Sequence, residues 1–122
     1  MIPSMDMDEM ENLVAKFAAA SYRHYTYTVE GAGKRKVNGE ADIVAQCYKA
    51  LAAAGAKDKL LSLLDDPHPA AVAMTATYCM HFAPEPCRAA LRRVARAPGL
   101  IGMMAEYALG RFTDGSWVRE VS

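Results

Sequence analysis

The stretch Asp65-Asp66-Pro67-His68-Pro69 limits what can lie on either side of it. Each proline fixes φ near −65° and removes a backbone donor, so a helix arriving through Lys57 to Leu64 must stop and no central strand can run through. Pro69 suits the first position of a new helix. Ala71, Val72, Thr75, Ala76, Tyr78, Cys79 and Phe82 then surround a helix over Pro69 to Phe82 with small and apolar side chains on most sides. A helix apolar nearly all round is sandwiched between neighbours. The punctuation recurs: Pro84 and Pro86 open a helix to Ala97 with Glu85 at its positive end, and Pro98-Gly99 closes it before a last helix over Leu100 to Phe112. Asp114-Gly115 turns the chain into a short irregular tail, 113–122, that carries Trp117.

The first half is also helical by periodicity. Met10, Leu13, Val14, Phe17, Ser21, His24, Tyr25 and Thr28 share one face of a long first helix, with Ser4 or Asp6 as cap and Asp6, Asp8, Glu9 and Glu11 against the dipole. Thr26, Thr28 and Val29 predict fraying between Tyr25 and Glu30. Gly31-Ala32-Gly33-Lys34-Arg35-Lys36 reads as a solvated loop; it lacks the preceding strand and the Gly-Lys-Ser/Thr ending of a phosphate loop. A second helix carries Val37, Ala41, Val44, Cys47, Tyr48 and Leu51, with its start after Gly39 and Gly55 as a left-handed cap.

Nothing in the pattern alternates as strands do, so the fold class expected is all-α, with about five to six antiparallel helices in one domain over 1–122. The apolar share of 52% in 122 residues is enough for a core without disulfides or metal. Fourteen basic and fourteen acidic side chains cancel, which excludes binding driven by bulk charge. No run of about eighteen apolar residues offers a membrane span, and the acidic start lacks a secretory pattern. Three cysteines fit a reducing cytoplasm.

A shift of about 29 residues overlays Pro69, Val72, Met74, Ala76 and Tyr78 on Pro98, Ile101, Met103, Ala105 and Tyr107. Each unit of this weak repeat is a helix, a proline turn and a second helix. Such a pair cannot bury its apolar face alone and needs a stacked neighbour.

The run Leu63-Leu64-Asp65-Asp66-Pro67-His68-Pro69 followed by an alanine-rich helix resembles a HEAT repeat. Together with Leu13-Val14-Ala15-Lys16-Phe17, Ala83-Pro84-Glu85 and the run from Gly102-Met103-Met104 to Leu109, the stretch Glu11 to Gly115 resembles a small uncharacterised bacterial family of HEAT-like helical proteins. That resemblance implies a right-handed stack of helix pairs and no catalytic residue. Ala71-Val72 stand where HEAT repeats place Val-Arg, and the length allows about two to three helix pairs.

Arg88, Arg92, Arg93 and Arg96 are the sharpest charge feature. The 88, 92, 96 spacing aligns three guanidinium groups along one helix face, and no acid lies between Pro86 and Gly102. Tyr22, Tyr25 and Tyr27 with His24 form an aromatic end to the first helix, a residue type enriched at interfaces. Cys79, His81 and Cys87 have zinc-type chemistry, but Cys79 and His81 face about 200° apart on a helix. No oxyanion-type glycine loop accompanies a Cys–His pair. Asp65 and Asp66 read as helix-capping, solvated carboxylates.

The expected function is therefore a non-enzymatic protein-binding module with no cofactor. By analogy of size and fold it is most concretely a bacterial immunity protein that neutralises a toxin domain. The expected contacts are Arg88, Arg92, Arg93, Arg96, Tyr22, Tyr25 and Tyr27. The alternative is a nucleic-acid-binding helical repeat using the Arg88/Arg92/Arg96 row, opposed by the zero net charge and the lack of a second basic helix.

Overall fold

A computed structural model describes residues 5–113. Among these the regular elements are all helical: α1 (Met7–Glu30), α2 (Lys34–Ala53), a 3-10 segment (Lys57–Asp65), α3 (Pro69–Cys79), α4 (Pro84–Ala95) and α5 (Leu100–Thr113). The expected tail and Trp117 lie outside the described residues from 114 onward, as does Ser4. The chain divides into two compact units, with the boundary after Leu63.

In the first unit α1 and α2 pack against each other. Asp6 caps α1, its Oδ1 accepting from the Glu9 amide at 2.8 Å. The expected fraying does not occur. α1 runs to Glu30 and ends on Gly31 at φ +66°, where the amides of Gly31 and Ala32 donate to the carbonyls of Thr28 and Tyr27. The loop is only Gly31 to Gly33, and Lys34, Arg35 and Lys36 already belong to α2. Gly39 sits inside α2 rather than before it. The cost of one interior glycine, about 1 kcal/mol, is smaller than the gain from extending a helix whose inner face is packed. That face buries Val44, Cys47, Tyr48 and Leu51, and α1 contributes Phe17, Ala18, Ala20 and Ser21. The Ser21 hydroxyl is buried but satisfied, donating to the Phe17 carbonyl at 2.8 Å. The three-residue connection makes the pair antiparallel, and Arg23 and Glu40, at nearly the same remove from it, form an ion pair at 2.8 Å.

The short helix expected over Lys57 to Leu64 is present and winds as a 3-10 helix, Lys57–Asp65. It begins straight after Gly55 (φ +70°), with the Lys59 amide donating to the Ala56 carbonyl, and ends at the proline turn.

In the second unit α3 packs against both α4 and α5, and α4 packs against α5. Pro69 and Pro84 open α3 and α4 at their first turns. α3 carries no Asp, Glu, Lys or Arg, and it buries Ala70, Ala71, Val72, Thr75, Ala76 and Cys79. It ends three residues earlier than expected, because the amides of Phe82 and Ala83 both turn back to the Cys79 carbonyl. α4 buries Cys87, Ala90, Leu91 and Val94, one stripe at helical spacing. α4 and α5 meet closely at Gly102. A Cβ there would collide with the Ala97 carbonyl oxygen and lie 3.2 Å from that of Ala95.

Candidate functional site

The turn Asp65 to Pro69 is built by its own side chains. Asp66 Oδ1 accepts from the His68 amide at 2.8 Å, an Asx-type closure. His68 Nδ1 accepts from the Ala70 amide at 3.1 Å and so caps α3 with an imidazole lone pair. The helix-capping role expected of Asp65 and Asp66 falls instead to His68, which is outside the usual cap residues, while Asp66 closes the turn before it. The turn borders an open cleft of about 410 Å³ lined by Leu64, Asp65, Asp66, Val72, Arg93 and Val94, among others.

Arg93 crosses to this turn and donates from Nη2 to the Leu64 carbonyl at 2.7 Å. The acceptor is an end-of-helix carbonyl that lacks an intrahelical donor. On the other flank of α4, Arg88 lies over the Phe112 ring at 4.6 Å and meets Glu85 Oε1 at 3.5 Å. Its Nε is buried without a hydrogen-bond partner among the described residues. The four arginines therefore do not form one surface. Arg88 is committed to α5, Arg93 to the Leu64 turn, and Arg92 and Arg96 remain exposed at the end of α4 with no ion pair among the described residues.

The tyrosines of α1 are likewise divided. Tyr22 and Tyr25 lie on one side of the helix and Tyr27 on another, and all three are half-buried. The Lys36 ammonium sits 5.4 Å from the Tyr27 ring centre, so the basic start of α2 folds onto that ring. His24 is half-buried beside them. Burial holds its imidazole below the usual pKa, against the opposing pull of the Glu40 carboxylate.

Cys47, Cys79 and Cys87 are all buried and outside any disulfide. Burial raises the Cys47 thiol, with Lys16 opposing, and pushes Cys87 up to about 11, so neither is a ready nucleophile. His81 stands edge-on to Phe82 at 5.1 Å. Among the described residues no three His, Cys, Asp or Glu side chains are placed to hold a metal ion. No helix there is long and apolar enough to cross a membrane.

Compared with protein-family models, curated proteins and solved structures, the chain gives no significant match. The site must accordingly be read from its own chemistry. Met103 and Met104, which the usual role of methionine as core filler would bury, are instead exposed on the outer face of α5 together with Leu100 and Tyr107. The signal was present in the 100, 103, 104, 107 spacing, but periodicity alone does not say which apolar face stays uncovered.

Proposed function

We propose that this protein is a non-enzymatic protein-binding module of HEAT-like helical build. In its most concrete form it is a bacterial immunity protein that neutralises a cognate toxin domain in the cytoplasm. The observation that carries the reading is the exposed pair Arg92 and Arg96, one turn apart at the end of α4 and with no ion pair among the described residues. Arginine is the charged residue most often found as an interface anchor, and its planar fork suits paired carboxylates. The partner favoured is an acidic protein surface. The half-buried Tyr22 and Tyr25 are a second contact candidate, on the first unit. Nucleic acid is disfavoured because Arg88 and Arg93 are engaged internally, which shortens the cationic row to two side chains.

The test is co-expression with the product of the neighbouring gene in the native genome. A stoichiometric complex, together with restored growth where that product is toxic, supports the reading. Arg92→Glu with Arg96→Glu is expected to weaken that complex at least about tenfold, as loss of anchoring charges does. An unchanged affinity in the double variant removes these residues from the interface. A gel shift with duplex DNA that fades steeply with salt would replace the reading with the nucleic-acid one.

A further inference from the structure

The cleft beside the Asp65 to Pro69 turn has no part in the arginine pair at the end of α4, since neither Arg92 nor Arg96 lines it. Its walls all belong to the second unit. The floor is apolar: Val72 of α3 and Val94 of α4 are each 5% exposed, with Pro69 and Ala97 beside them. Its volume of about 410 Å³ falls in the range of small-molecule sites.

Two opposite charges border this floor. Arg93 is held by Nη2 on the Leu64 carbonyl at 2.7 Å, and its other nitrogens have no partner among the described residues. Asp65 is exposed, and its carboxylate has no hydrogen bond or ion pair among the described residues. Asp66 differs, because its Oδ1 accepts from the His68 amide. Arg93 and Asp65 thus line one cleft without pairing with each other, which puts more than about 4 Å between their charged atoms. Covalent geometry sets the upper limit. Asp65 follows Leu64 directly, so its carboxylate oxygens lie within about 9 Å of the Nη2 that holds the Leu64 carbonyl.

We infer that this cleft binds a free α-amino acid with an apolar side chain. A lone cation would answer Asp65 and face Arg93, and a lone anion would do the reverse. A ligand carrying both charges answers both. In an α-amino acid the ammonium and the carboxylate sit on one carbon, about 3 Å apart. With a charge-assisted hydrogen bond of roughly 2.8 Å at each end, it bridges a gap of up to about 9 Å. An extended dipeptide separates its charges by roughly 6 Å and overshoots. The ammonium meets Asp65, the carboxylate meets the remaining donors of Arg93, and the side chain lies on Val72 and Val94. The Leu64 contact fixes the guanidinium beforehand, so less ordering is needed on binding. The cleft is open and the ligand small, which sets Kd on the order of 0.1–1 mM.

The test is a titration of the full nitrogen-15-labelled chain with L-leucine up to about 20 mM, followed by amide chemical shifts. Saturable shifts are expected around residues 64–66, 70–72 and 93–97. The analogues 4-methylpentanoate, which lacks the ammonium, and leucinamide, which lacks the carboxylate, are each expected to bind at least about tenfold more weakly. Glycine, with no side chain to lay on the floor, is expected to fall by about as much. Asp65→Asn has no partner to lose in the fold and is expected to bind L-leucine no better than 4-methylpentanoate. Should that variant lose helical circular dichroism, Ala97→Leu takes its place: it narrows the cleft at a half-buried wall and is expected to weaken L-leucine at least about tenfold. No saturable shift, an analogue that binds as tightly as L-leucine, or leucine binding unchanged in the folded cleft variant overturns the inference. The complex with a toxin domain is measured apart from this, so either reading can fail alone.

Discussion

Arg93 Nη2 donates to the Leu64 carbonyl at 2.7 Å, bringing the last turn of α4 onto the end of the 3-10 segment. The two residues are 29 apart, the same offset that relates the repeats. A single guanidinium thus satisfies the backbone carbonyl. Arg93→Ala leaves that carbonyl without its donor and is expected to lower stability by about 1 kcal/mol, since the bond is charge-assisted but partly solvated. Arg93→Lys recovers only part of this, because an ammonium lacks the planar fork. Urea denaturation midpoints of the three proteins check the order.

Two glycines respond in opposite ways to the same substitution. Gly102→Ala places a Cβ against the Ala97 carbonyl, backbone that cannot rotate aside, and the cost is expected to reach about 1–3 kcal/mol or more. Gly39→Ala, inside α2 with nothing within 4 Å of the new methyl, is expected to gain roughly 0.5–1 kcal/mol through helix preference. Thermal unfolding of both variants beside the parent reads the opposite signs directly.

His24 sets an acid-side slope. Its folded pKa lies below the ordinary 6.5 because burial disfavours the imidazolium. The unfolded chain therefore takes up the proton first as pH falls. The contribution of neutral His24 is intact above about 6.5, is lost as pH drops from there to the folded pKa, and levels off below it. His24→Gln should flatten stability against pH in that window and leave the rest of the curve unchanged. An equal slope in parent and variant would falsify the assignment.

The helices and their breaks were legible because prolines and glycines act locally. Pro69, Pro84 and Gly31 would stop or start a helix in almost any context. Lys34 to Gly39 was harder. Local preference argues for a loop, but the stretch joins α2, whose start is tied to α1 by Lys36 over the Tyr27 ring and by the Arg23–Glu40 ion pair. The winding of Lys57–Asp65 was hidden for a related reason, since leucines at 60, 61, 63 and 64 suit either helix type. The arginine row was misjudged in another way. Helical spacing placed Arg88, Arg92 and Arg96 on one face, but Phe112 and the Leu64 carbonyl, both distant in sequence, decide which guanidinium groups remain available.

α3 holds its place with no ionised side chain along its length. Lysine and arginine are in fact missing from Leu60 all the way to Cys87, with Lys59 and Arg88 as the bracketing residues. Trypsin therefore has no cleavage point within this helix of the second unit. However far the digest goes, that helix leaves as one unbroken peptide, and a mass spectrum of the products reports when its surroundings opened rather than where it was cut.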